Sequence, residues 1–162
     1  MTSRFMLLAV TIGILSAAIV PARAADDPAA LAAAMKNAAA TLQGGLKASE
    51  AQGTPISAKF EIEDGKLQLS VYTMKGDSFT EVVADPDTGA IKEADDLKEA
   101  TAQKEAMAKA KVPLLTAAET AVSANAGSRA VSIVPELKNG QAMAEVTLLQ
   151  GTTFKKVTEK LD

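Results

Sequence analysis

Ile56 to Val83 reads ISAKFEIEDGKLQLSVYTMKGDSFTEVV, and Val131 to Thr158 reads VSIVPELKNGQAMAEVTLLQGTTFKKVT. The two stretches align without a gap at an offset of 75 residues. Identical pairs are Ser57/Ser132, Glu61/Glu136, Gly65/Gly140, Val71/Val146, Gly76/Gly151, Phe79/Phe154 and Val82/Val157. Five of the seven fall at turn glycines or at apolar positions, where a shared local structure needs them. In the first stretch Ile56, Ala58, Phe60 and Ile62 alternate with Ser57, Lys59, Glu61 and Glu63, the period of a half-buried strand. Asp64-Gly65 is a hairpin signal, because a two-residue turn demands positive φ. Leu67, Leu69 and Val71 restart the alternation, Gly76 turns the chain again, and Phe79 to Ala84 forms a third strand. The second stretch repeats the pattern with Asn139-Gly140 and Gly151 as its turns. Pro135 interrupts its first strand and is expected on a sheet edge, since proline donates no ladder hydrogen bond.

A three-stranded meander has a bare apolar face and needs a cover. Asp27-Pro28 opens an Ala-rich helix running from Ala29 to Ala51, with Gly44-Gly45 expected to weaken or bend it. Pro113 opens a second helix, Leu114 to Ala126. Residues 92–112 include KEADDLKEATAQKEAMAKAK, which reads as loop to about Asp96 and then as a charged connecting helix to Lys111. The expected fold class is therefore α+β: two repeats of helix plus three-stranded antiparallel meander, joined by a helical connector. The units are 25–91 and 113–162, each with its own small core.

Residues 1–24 read as a secretory signal peptide. Arg4 supplies the positive start, Phe5 to Val20 is an uncharged run of 16 residues, and Ala22-Arg23-Ala24 is a small-x-small cleavage site. The run is shorter than the roughly 20 residues of a spanning helix and holds Gly13 and Ser16, so cleavage after Ala24 is expected, leaving no stable membrane span. Removal of two arginines with this segment takes the net charge from −3 to −5. The expected location is periplasmic or secreted.

The chain has no His, no Cys and no Trp. That excludes a histidine base, a cysteine nucleophile, disulfides and the common zinc ligand sets. The acidic balance and only four aromatics after the leader (Phe60, Tyr72, Phe79, Phe154) argue against nucleic acid as a partner. Glu61 and Glu63 are the paired carboxylates left for acid–base work, and their strand alternation places them on a solvated face. No Ser–Lys motif appears. Met35, Met74, Met107 and Met143 are too scattered for a copper site. Asp85-Pro86-Asp87-Thr88-Gly89, with Glu93, Asp95 and Asp96 following, suggests a calcium loop, but Gly89 comes one place too early and a plain turn is the preferred reading. Lys155, Lys156 and Lys160 make a basic end, read as a solvated face, with an anionic partner or membrane surface as the alternative. No catalytic residue, metal site or cofactor is assigned.

The helix, the meander and then Val83-Ala84-Asp85-Pro86-Asp87-Thr88-Gly89-Ala90-Ile91 resemble the PepSY domain family, in which a strand ends in an Asp-x-x-Thr-Gly turn. Asp85, Thr88 and Gly89 occupy those positions. Leu114 to Asp162 resembles a second, degenerate copy that lacks the closing signature. The resemblance implies a non-enzymatic exported domain that binds and restrains a peptidase or another envelope protein. It carries over no catalytic residue, and the signature only as a turn. The second reading is a structural envelope protein that self-associates, as a homodimer or by internal pairing; the third is a calcium-responsive module. An exposed strand edge offers a mechanism for binding, because an extended peptide can pair with it by main-chain hydrogen bonds. The third strand, around Thr80, is the edge expected to do so.

Overall fold

Asp64 and Asn139 hold φ of 50° and 52°, and the glycines that follow them hold 74° and 81°. Both pairs therefore close two-residue hairpins whose twist matches the flanking strands. Gly76 and Gly151, with φ of 63° and 62°, start the next turn in each half. A computed structural model describes residues 27–162. The expected cleavage residues Ala22 and Ala24 lie outside them.

The described chain runs α1 (Pro28–Met35), α2 (Leu42–Ser49), β1 (Thr54–Glu63), β2 (Lys66–Lys75), β3 (Ser78–Ala84), β4 (Ile91–Leu97), α3 (Thr101–Met107), α4 (Leu114–Ala124), β5 (Arg129–Lys138), β6 (Gln141–Gln150) and β7 (Thr153–Lys160). The expected fold class needs correction. The strands do not form two sheets. They form one antiparallel seven-stranded sheet in the order β4-β3-β2-β1-β5-β6-β7. The join is the β1–β5 pair, through Ala58 opposite Ile133 and Lys59 opposite Ser132. Two bare first-strand edges would each have left a row of unpaired backbone groups, and the join covers the middle of both. β1 and β5 each carry a bulge against their hairpin partner, at Ile56 and Val131. The pairing of β1 with β5 ends before Pro135, so the missing N–H of that interior-strand proline costs no bond on that side.

One core replaces the two expected. Ala58, Phe60, Leu69, Val71 and Val82 from one half pack with Ile133, Ala144, Val146 and Leu148 from the other, under α2 and α4. Gly45 shows why the double glycine sits inside α2 rather than bending it: a Cβ there would overlap the Leu69 side chain, so the helix lies close on β2.

Three further segments differ from the sequence reading. The single helix expected over Ala29–Ala51 is two. Asp27 caps α1 through the Ala29 amide (3.0 Å), and Thr41 caps α2 through the Gly44 amide (3.0 Å). The break is held by Arg129. Its guanidinium donates to the carbonyls of Met35 (3.0 Å), Ala38 (2.9 Å) and Ala40 (2.7 Å), and lies 5.8 Å from the centre of the Phe60 ring. The connector expected as loop and helix over 92–111 begins instead as β4, and its helix is only Thr101–Met107. The open edge of β3 recruits the stretch expected as loop, and β4 completes it through Phe79–Leu97, Thr80–Asp96 and Glu81–Asp95. Thr80 is thus interior, opposite Thr73 on one side and Asp96 on the other, and β3 offers no free edge.

Candidate functional site

Cross-strand register places one row of side chains across the whole sheet, on the face opposite Ile133 and Val146: Glu93, Val83, Ser70, Lys59, Ser132, Thr147 and Lys156. Its middle and its two ends are the places where charge meets geometry.

In the middle, Glu61 is 6% exposed, which corrects its placement on a solvated face. Its carboxylate is paired with Lys59 and accepts from the Ser70 hydroxyl (2.8 Å). Gln68 bridges to Glu63, donating at 2.6 Å. Burial pushes the Glu61 pKa up, but the hydrogen bonds from Lys59 and Ser70 and the Lys59 charge outweigh it and hold the group below the usual carboxylate range. A general base is tuned upward, toward neutral pH, so the lowered value suits a fixed ion pair and not a base for Ser70.

The sign of the pH effect follows. A carboxylate whose pKa falls on folding stabilises the fold above its unfolded value of about 4.3, and that contribution is lost as pH drops through the folded value. Asp77 and Asp85 act in the same direction, lowered mainly by hydrogen bonds from Lys104 and Lys92. Glu61→Gln is expected to lower Tm at neutral pH and to flatten part of the fall in Tm below about pH 4, measured by thermal melts across pH. An unchanged acid slope would place the titrating groups elsewhere.

The Asp-x-x-Thr-Gly signature is the turn that delivers β4. One Asp85 side-chain oxygen accepts from the Asp87 and Thr88 amides (2.9 and 2.8 Å), and the other meets Lys92 Nζ at 2.5 Å. The Asp85 carbonyl accepts from the Gly89 amide (2.8 Å), and Gly89 holds φ of 72°. The Pro86 carbonyl accepts from the Ala40 amide (2.9 Å), tying the turn to the α1–α2 link. The calcium donors considered from sequence do not converge. Asp85 is occupied by backbone amides and Lys92, Glu93 and Asp95 share one face of β4, and Asp96 lies on the other. Among the described residues no group of three acidic side chains is placed to hold a metal ion. The four methionines lie on α1, β2, α3 and β6, with Met35 in the core.

At the ends, among the described residues, β4 and β7 each pair on one side only. β4 is exposed from Ile91 to Asp96 and carries Glu93, Asp95 and Asp96. Asp95 stands directly opposite Glu81, a like-charge pair with no cation bridging it among the described residues. β7 presents Lys156 and Lys160 on that same sheet face, and Lys155 on the other. Lys156 meets Glu145 at 2.7 Å and Lys155 donates to Asn125 at 2.8 Å, both on the protein's own surface. The outer side of β7 is a strand edge flanked by cations. The basic cluster was visible in the sequence; the acidic edge was not, because β4 buries neither face and so shows no alternation of apolar residues.

An open groove of about 330 Å³ lies between the start of α1 and the middle strands, bounded by Pro28, Leu31, Lys59, Val131, Thr147 and Phe154. Among the described residues, Lys59 is the one charged group that lines it.

No protein-family model matches the chain, and no curated protein or solved structure was found similar to it. Among the described residues no helix is long and apolar enough to cross a membrane.

Proposed function

We propose that this chain is an exported, non-enzymatic binding protein of the periplasm or extracellular space, and that it holds an extended segment of a partner polypeptide along the outer edge of β7. The observation that carries the reading is the unpaired β7 edge flanked by Lys155, Lys156 and Lys160. Main-chain hydrogen bonds to that edge would supply affinity, and the lysines would select an acidic segment. Residues 1–24 support export. The PepSY resemblance suggests a peptidase as the partner, restrained by occupation of one of its extended segments.

The test uses the protein expressed from its full sequence as bait in envelope extract, beside the double variant Lys156→Glu, Lys160→Glu. The expected result is one partner retained by the wild type, lost with the variant, and cross-linked through an acidic segment to Lys155 or Lys156. A partner held equally by both baits would move the binding site off β7.

A further inference from the structure

The geometry points to a second copy of this chain as an occupant of the β7 edge: we propose head-to-tail assembly in which β4 of one copy pairs with β7 of the next. The inference rests on the reading of β7 as a receiving edge and names a strand that fits it.

Six antiparallel steps separate β4 from β7, so the two outer strands run in the same direction. A second copy set beside the first in the plane of the sheet therefore brings its β4 alongside β7 as a parallel pair, with the faces of the two sheets continuous. On that shared face β7 carries Lys156 and Lys160, and β4 carries Glu93 and Asp95. The row that begins at Glu93 and ends at Lys156 would continue into the Glu93 of the next copy. Lysines reaching β4 would also lie beside Asp95, which stands opposite Glu81 in the sheet.

The same charges decide against the closed alternatives. On that face a two-fold pair of β7 edges brings only lysines together, and a two-fold pair of β4 edges only carboxylates. Charges on edge strands ordinarily block sheet-to-sheet pairing. Here they block like with like and leave the unlike pairing open. The contact is heterologous, so copies add to a ring or to a growing row instead of stopping at a dimer.

The experiment is sedimentation velocity on the protein expressed from its full sequence, over a range of concentrations at about 0.02 M and about 0.5 M salt. The expected result is a mass that climbs past two copies with concentration at low salt and falls toward one copy at high salt. Lys156→Glu with Lys160→Glu, and separately Glu93→Lys with Asp95→Lys, should each weaken association by at least about tenfold. Mixing the two double variants should restore it, since the reversed β7 of one now faces the reversed β4 of the other. Restoration also shows that both variants fold. The proposal is overturned by a single-copy mass throughout, by a closed dimer that does not grow, or by association indifferent to salt and to both reversals. If the chain stays monomeric while the envelope partner still depends on Lys156 and Lys160, self-assembly fails and the β7 reading stands. Loss of both removes both.

Discussion

Replacing Arg129 with alanine is expected to cost about 3 kcal/mol of folding stability. The guanidinium satisfies three carbonyls at the break between α1 and α2, and it does so from the first residue of β5. Its removal leaves Met35, Ala38 and Ala40 without those donors and strips the cation from the Phe60 face. Burial lowers the Arg129 pKa, yet arginine stays protonated, so the clamp is present across the working pH range. Arg129→Lys keeps the charge but loses the fork that reaches three acceptors, and should recover less than half of the loss. Urea unfolding followed by circular dichroism checks both variants. A Tm and midpoint for Arg129→Ala equal to wild type would mean that the α1–α2 break holds itself.

Ile133→Ala is expected to cost about 3 kcal/mol as well, for a different reason. Ile133 is fully buried and stands opposite Ala58 at one of the two residue pairs that join the halves of the sheet. The substitution would leave two alanines at that position and a void beneath α2 and α4. The shape of the transition matters as much as its midpoint. One continuous sheet over one core should unfold in a single transition that moves as a whole, with the denaturant slope unchanged. Two transitions, with only the later one displaced, would mean that the halves fold independently.

The hairpins could be read from the chain because their causes are local. Asp64-Gly65 and Asn139-Gly140 take positive φ, and Leu69, Val71, Ala144 and Val146 alternate with polar neighbours. The features missed have distant causes. β4 is a strand because β3 has an open edge, although KEADD carries no strand pattern and reads as loop. α1 and α2 part without a glycine or proline between them, because the guanidinium that holds the break lies about ninety residues further along. The β1–β5 join rests on two residue pairs with no turn or motif to announce them. Glu61 looked solvated by alternation and is buried, because Lys59 and Ser70 close over it. Of the two outer sheet edges, the lysines of β7 are apparent in the sequence as a basic cluster. Their role as the rim of a sheet edge, and the opposite charge of the far edge, needed the strand order.

The most direct measurement is amide hydrogen exchange, residue by residue, on the free chain and on its complex with the partner that depends on Lys156 and Lys160. If β7 receives an extended strand, alternate amides within Thr153–Lys160 should slow on binding, while those already paired with β6 stay as they are. Protection confined to the helices or to the groove beside Pro28 and Phe154, with β7 unchanged, would contradict the edge as the binding site.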